Sequence, residues 1–171
     1  AHMEMSGGSI KYNWEKGVQI DTGSSLTLSG GSVELNYTGG VRLDHGSKLV
    51  LEKRGGISAN SGPGIIIDGK SSMTMTGGAV SFNRAGYPDA GGVNVRNGSS
   101  FVMIGGGISS NHGSTGGVMV GNHAWKIHDA YKNSGNLNHV PAIANFVMTG
   151  GVIRDNRGYF DAGGLYVSAN A

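Results

Sequence analysis

The sequence predicts an all-β fold, namely a right-handed, single-stranded parallel β-helix (a solenoid) of about six coils of roughly 23 residues each. The pattern Gly-Gly-x-(Ile or Val)-x-x-Asn occurs six times, with starts 23, 24, 23, 28 and 45 residues apart, and only Arg54 replaces its first glycine. A repeat of this length indicates one structural unit stacked on itself. Between the copies, apolar residues alternate with variable ones, which is typical of strands with one buried face.

Each coil is predicted to contain three strands. The first carries the Ile or Val of the repeat, the second begins with glycine and an aliphatic residue, as at positions 40–43, and the third is a short apolar segment, as at 49–51. Because equivalent residues of successive coils stack, two buried rows are expected. The first row is Ile10, Val33, Ile57, Val80, Ile108 and Ile153, and the second is Leu26, Leu49, Met73, Phe101 and Phe146.

The asparagine that ends each copy of the repeat is predicted to form an internal ladder. A side-chain amide can donate a hydrogen bond to one neighbouring coil and accept one from the other. We also expect the asparagine itself to adopt the left-handed backbone conformation of a sharp corner, because Asn tolerates that conformation well. The members of this column are Asn13, Asn36, Asn60, Asn83, Asn111 and Asn156.

The chain is interpreted as one domain at residues 5–171, preceded by a cloning scar and leader at residues 1–4. The last coil stops where a third strand would begin, so we expect a fragment of a longer array, with open strand edges that favour end-to-end self-association. A net charge of +2 argues against a nucleic-acid partner, and no apolar run is long enough to predict membrane insertion. No cofactor is predicted.

Asp21, Asp44 and Asp68 are expected to occupy one column, at the corner that follows the second strand. Three stacked carboxylates would suit a calcium site or the acid–base pair of a polysaccharide lyase or glycoside hydrolase. Aspartate near glycine is also a common turn former, and the outward rows of the first two strands contain no acidic cluster. We therefore favour the turn, and we assign no catalytic residue and no metal site.

The repeat is broken in coils four to six, where loops on a rigid scaffold are expected to carry a binding site. The corner after the asparagine is lengthened at residues 84–92 and again at 157–164, and each version contains an arginine, an aromatic residue and an aspartate. Coil five has a shorter corner, so a notch with a sugar or peptide ligand is predicted; solvated loops that recur through duplication are the alternative. Coils one to three are expected to be bare repeat. The candidate binding residues are Arg84, Tyr87, Asp89, His112, Arg157, Tyr159, Phe160 and Asp161.

An insertion at residues 121–144 replaces a four-residue corner in coil five. A short helix is predicted at about residues 122–132, which would carry Trp125 and Tyr131 as further candidate ligand-binding residues. Folding of the insertion over the outward residues of the neighbouring third strands is a second interpretation. A zinc site is a third, although the histidines of the insertion are poorly spaced for a helical chelate.

Two motifs carry a resemblance to a known family: Gly77-Gly78-Ala79-Val80 with Asn83, and Gly163-Gly164-Leu165-Tyr166-Val167. They resemble the right-handed β-helix repeats of bacterial cell-surface proteins, among them polymorphic outer-membrane proteins. The resemblance implies secretion or display at a bacterial cell surface, and adhesion to a glycan or to a host or partner protein. It carries over no catalytic residue. The leading hypothesis is a non-catalytic, adhesin-like or passenger-like binding module; a lyase or glycosidase and a pure spacer are the alternatives.

Overall fold

The computed structural model describes residues 1–121 and 142–168, and within these ranges the chain forms strands and no helix. The strands are β1 (His2–Lys11), β2 (Lys16–Ile20), β3 (Ser25–Glu34), β4 (Gly39–Leu43), β5 (Lys48–Ser58), β6 (Ile65–Ile67), β7 (Ser72–Met75), β8 (Ala79–Ser81), β9 (Val93–Val95), β10 (Ser100–Met103), β11 (Gly107–Ser109), β12 (His112–Gly113), β13 (Val118–Val120), β14 (Asn145–Met148), β15 (Val152–Arg154), β16 (Arg157–Gly158) and β17 (Leu165–Val167).

Every pairing between these strands is parallel, and partners come from successive coils. The second strands of the coils form a six-stranded sheet in the order β17-β13-β9-β6-β4-β2. The first and third strands share a nine-stranded sheet, because they are continuous in β1, β3 and β5. A small two-stranded sheet joins β12 to β16. The predicted parallel β-helix is confirmed.

Both predicted core rows are confirmed by the strand register. Ile10 pairs with Val33, and the row continues in register to Ile153. Leu26 begins the second row, which ends in Phe101 and Phe146, whose rings stack with centroids 5.0 Å apart. Side chains that alternate inward along each strand therefore fill one continuous apolar interior.

The asparagine ladder is also confirmed, and its central members are fully buried. The Nδ2 group of Asn60 donates to Oδ1 of Asn83 at 2.8 Å, and Nδ2 of Asn83 donates to Oδ1 of Asn111 at 3.0 Å. Each Nδ2 also donates to a core-row carbonyl, as Asn83 does to the carbonyl of Ile57 at 3.1 Å. Each Oδ1 accepts a second bond from a backbone N–H, as that of Asn83 does from Asn60 at 3.1 Å. The ladder thus satisfies buried polar groups in every coil.

The left-handed residue of this corner is not the asparagine, so that part of the prediction was wrong. The residue before each ladder asparagine has a φ between 53° and 61°. This positive φ turns the chain so that the side chain of the next residue points inward. Asparagine is required at that next position because its amide both donates and accepts a hydrogen bond. The residues with positive φ are Tyr12, Leu35, Ala59, Phe82, Ser110 and Asp155.

A second polar ladder, which the sequence analysis missed, follows the second strand in coils two to four. Here two consecutive residues have positive φ, as His45 (51°) and Gly46 (74°) do, which is the backbone of a type I′ turn. A buried serine ends the turn, and the N–H of Ser47 donates to Oγ of Ser71 at 3.1 Å. The N–H of Ser71 donates in the same way to Oγ of Ser99 at 3.2 Å. A serine in the same place of each Asp-x-x-Ser turn was the available signal.

Two boundaries differ from those set by the sequence. Strand pairing starts at His2, ahead of the boundary at residue 5, because Met3 pairs with Leu26 at the start of the second core row. The insertion is shorter than residues 121–144, since Gly98 N donates to the carbonyl of Ala142 at 2.9 Å and Ala144 is buried at the position of the turn serine. Residues 142–144 therefore stack on the turn of the preceding coil.

We expect the Asn83→Leu variant to have a lower free energy of unfolding than the unchanged protein, even though leucine is more apolar. The substitution removes the acceptor of two donors on Asn60 and the donor to Ile57 and Asn111. Each orphaned buried group costs about 1–3 kcal/mol, so a loss of at least about 3 kcal/mol is expected in denaturant unfolding. The matched control is Asn13→Leu, at the exposed end of the ladder, where a much smaller loss is expected. Equal losses would contradict a cooperative internal ladder.

The positive φ of Phe82 gives a second prediction. Phe82→Gly should leave the melting temperature unchanged or raise it, because glycine adopts a φ of 57° without strain. Phe82→Val should destabilise by about 1 kcal/mol, since β-branched residues tolerate this conformation worst. Ser81→Gly, one residue earlier in β8, is the control and should destabilise like any glycine in a strand. The reverse order of the two Phe82 variants would show that the corner is not strained.

Candidate functional site

One edge of the solenoid follows the asparagine ladder, and its residues are in register from coil to coil. The N–H of the residue after each ladder asparagine donates to the carbonyl of the preceding coil's asparagine, as Tyr37 N does to Asn13 O at 2.9 Å and Arg157 N does to Asn111 O at 2.8 Å. The buried ladder therefore positions this outward column. Its members are Trp14, Tyr37, Ser61, Arg84, His112 and Arg157.

The structure brings the two lengthened corners together instead of leaving an open notch between them. Arg84 forms a parallel bridge with His112, and β12 pairs with β16, so the corners of coils four to six build a small sheet of their own. Tyr87 of the coil-four corner and Phe160 of the coil-six corner pack their rings edge to face, with centroids 5.4 Å apart. The shorter corner of coil five is thus bridged by aromatic side chains from both neighbours.

The two loop aspartates hold these corners in place. Asp89 forms an ion pair with Arg96, whose side chain is only 9% exposed, and Arg96 also donates to Asn94 at 3.1 Å. The amide of Asn94 in turn bonds both backbone groups of Ala90, at 2.8 and 3.0 Å. Oδ2 of Asp161 accepts from the hydroxyl of Ser114 at 3.0 Å. Both carboxylates are therefore part of the scaffold that supports the edge.

Six of the eight predicted binding residues of these corners remain accessible to solvent, and besides Tyr87 and Phe160 these are Arg84, His112, Arg157 and Tyr159. Arg84 is exposed, and the guanidinium of Arg157 lies over the ring of Tyr159 at 5.8 Å from its centroid. The Tyr159 hydroxyl is 3.5 Å from Nδ1 of His112, and their rings are 6.3 Å apart. These four side chains therefore lie close together on one surface, and their role in binding stays a prediction.

The expectation that coils one to three are bare repeat was wrong. Trp14 is 84% exposed and Tyr37 is 62% exposed, and their ring centroids are 5.9 Å apart on the same edge. An open depression of about 430 Å³ connects Tyr37 to Tyr87 past Ser61 and Pro63. The signal was present in the sequence, because aromatic residues directly follow the ladder asparagine in coils one and two.

The candidate residues of the insertion, Trp125 and Tyr131, lie outside the described residues, as do the predicted helix and the proposed histidine zinc site. Within residues 1–121 and 142–168, no group of three or more His, Asp or Glu side chains is placed to hold a metal ion. No helix long and apolar enough to cross a membrane is found in the part of the chain that the structure describes.

The aspartates after the second strand form ion pairs with side chains of the same coil or of the neighbouring coil. Arg42 binds Asp44 through Nε at 2.6 Å and contacts Asp68 at 3.4 Å, while Nδ1 of His45 lies 2.6 Å from Asp21. The hydrogen bond to Asp21 raises the pKa of His45 above its ordinary value, and the same bond lowers the pKa of Asp21. Burial opposes ionisation of Asp44, but its bonds from Arg42 and Gln19 still lower its pKa. The turn interpretation of this column fits these contacts.

Comparison with known proteins adds a family. A family model described as "Right handed beta helix region" matches residues 16–171. No curated protein and no solved structure matches the chain significantly.

The Asp21–His45 pair predicts a pH window that NMR titration can measure. Because the pKa of His45 is raised and that of Asp21 is lowered, the pair is intact between these two pKa values. It is lost as pH falls through the pKa of Asp21 or rises through that of His45. Asp21→Asn should therefore lower the pKa of His45, whereas Asp155→Asn, which removes an exposed carboxylate paired with Arg154, should leave it unchanged. A His45 pKa that is the same in all three proteins would contradict the pairing.

Proposed function

Because the chain belongs to the right-handed β-helix family, whose coils form a rigid scaffold, we propose that it is a non-catalytic module that binds a glycan chain along the edge following the asparagine ladder. In this proposal the module is secreted or displayed at a bacterial cell surface, as an adhesin-like or passenger-like element. The observation that carries the proposal is the row of solvent-exposed aromatic rings on this edge.

These rings are far more exposed than is usual for such side chains. Trp14 is 84% exposed and Phe160 is 72% exposed, although each has a ring neighbour on the same edge. Exposed apolar surface arranged in a row marks an interaction site. Aromatic rings combine a large apolar face with a polar rim, and this suits the apolar faces of a sugar ring.

Polar groups are interspersed with the rings, as a sugar site requires. The depression between Tyr37 and Tyr87 is also lined by Thr38, Ser61 and Asp89. The depression of about 430 Å³ is open to solvent along the edge, which suits a chain that lies across it better than a small molecule that is enclosed. Apolar walls with a few fixed polar groups are the usual composition of ligand sites.

The alternatives fit the edge less well. An enzyme needs a convergent acid and base, whereas Asp89 and Asp161 are engaged by Arg96 and by Ser114. A pure spacer gives no reason for exposed aromatic residues on four of the six corners of one edge.

The test is binding to an array of glycans, followed by titration of the oligosaccharide that binds most strongly, with tryptophan fluorescence of a Trp125→Phe background as the signal, so that Trp14 is the remaining tryptophan. Tyr37→Ala with Tyr87→Ala should weaken binding by about tenfold or more, since each ring contact contributes on the order of 1 kcal/mol. Tyr12→Ala with Phe82→Ala is the matched control, because these exposed rings precede the ladder asparagine and do not line the depression.

Circular dichroism and thermal unfolding would establish that both double variants retain the fold. Equal affinity of the two folded variants would overturn the proposed site. An array on which no glycan binds above background would overturn the proposed function itself, and lyase activity on a bound polysaccharide would replace it with the enzyme alternative.

A further inference from the structure

Three cationic or proton-binding side chains are stacked at one end of the edge. Arg84 is bridged to His112, and His112 is paired with Arg157, so the three occupy the same position in coils four, five and six. Neighbouring strands lie about 4.8 Å apart, which places the roots of the two arginines about 10 Å apart. Both arginines are exposed and His112 is partly exposed. The in-register ladder therefore fixes the spacing of these side chains.

No carboxylate within residues 1–121 and 142–168 forms an ion pair with Arg84 or Arg157. Asp89 is bound to Arg96, Asp161 accepts hydroxyl bonds from Ser114 and Thr115, and Asp155 is paired with Arg154. Among the residues that the structure describes, the guanidinium groups of Arg84 and Arg157 therefore have no salt-bridge partner, while the Asp161 carboxylate lies in the same loop as Arg157 and is bound by hydroxyl groups.

The corner that follows the second strand, in coils one to three, is built differently. There, carboxylates and basic side chains alternate. Arg42 contacts both Asp44 and Asp68, and His45 contacts Asp21. Adjacent coils of this protein can thus place opposite charges next to each other, and at that corner they do. The stack of Arg84, His112 and Arg157 departs from this arrangement at the edge that also carries the exposed rings.

We propose that the stack of Arg84, His112 and Arg157 binds an oxyanion carried by the glycan, either a uronate carboxylate or a sulfate ester. The inference deepens the proposed function and rests on it: the ligand is an acidic glycan. Its sugar rings lie on the aromatic part of the edge, and an acidic group lies at the cationic part. Guanidinium groups suit both anions, because they present paired N–H donors to two oxygens.

The neighbouring aromatic residues orient this stack. The ring of Tyr159 lies under the Arg157 guanidinium, and its hydroxyl faces Nδ1 of His112. Tyr87 and Phe160 meet on the same small sheet, so a sugar that contacts these rings brings its substituents beside the cations. Arg84, His112 and Arg157 are thus ligand-binding residues, and Tyr159 is a positioning residue.

The experiment follows NMR signals of the His112 ring and of the arginine Nε–H groups during titration with three monosaccharides. The probes are sodium glucuronate, glucose 6-sulfate and uncharged glucose, at ionic strength held constant with sodium chloride. Saturable shifts are expected with glucuronate or with glucose 6-sulfate and not with glucose. The anion that gives the tighter saturation identifies the source of the oxyanion.

Arg84→Gln with Arg157→Gln should weaken binding of the anionic probe about tenfold or more, as expected for loss of charge-assisted hydrogen bonds. Arg154→Gln is the matched control, because it removes the same charge from coil six at an arginine that is already paired with Asp155. The control should bind like the unchanged protein.

Three outcomes would overturn the inference: no saturable shift with either anion, shifts of equal size with glucose, or equal weakening by Arg154→Gln and by the double variant. Each of these can occur while neutral glycans still bind at Trp14 and Tyr37, in which case the proposed function stands without the anion site. Conversely, if the anions bind saturably but no glycan on the array binds, the anion site stands and the proposed glycan-binding function is overturned.

Discussion

The hydrogen-bonded column of buried asparagines is the constraint on which the rest of this structure depends. Each amide accepts from one coil and donates to the next, and it also bonds a backbone group in the core, as Asn83 does with the carbonyl of Ile57. The ladder places the left-handed residue immediately before each asparagine and starts the exposed corner immediately after it. The ladder asparagine therefore determines three features of each coil: the residue with positive φ, the polar group in the core, and the start of the exposed corner.

The glycines that open the second strands are required by the same ladder. A Cβ on Gly64 would lie 2.7 Å from Nδ2 of Asn83 and 2.8 Å from the carbonyl oxygen of Gly92. A side chain there would separate the strand from the amide column, and the hydrogen bonds between successive coils would lengthen. High glycine content in this protein thus reflects close backbone approach to a buried polar column, in addition to turns with positive φ.

A rigid solenoid leaves few places for a binding site, and we propose that in this protein the site lies on one edge. The corners after the asparagine present aromatic rings in coils one, two, four and six and a cationic stack in coils four to six, while the opposite corner pairs its charges internally. Asp89 and Asp161 show how the scaffold supports this edge, since both carboxylates are used to hold loops. Neither the aromatic row nor the cationic stack is needed by the core, which is why we propose a ligand for both.

The sequence by itself determined the parallel β-helix, both core rows and the asparagine ladder, because each follows from a period that repeats with little change. It did not determine which corner residue has positive φ, because Phe82 and Leu35 have no preference for that conformation and only the stacked coils impose it. The meeting of Tyr87 with Phe160 across coil five, and the engagement of Asp89 by Arg96, also depended on the tertiary structure. These contacts join residues whose proximity arises from loop paths and side-chain directions, and a repeat pattern specifies neither.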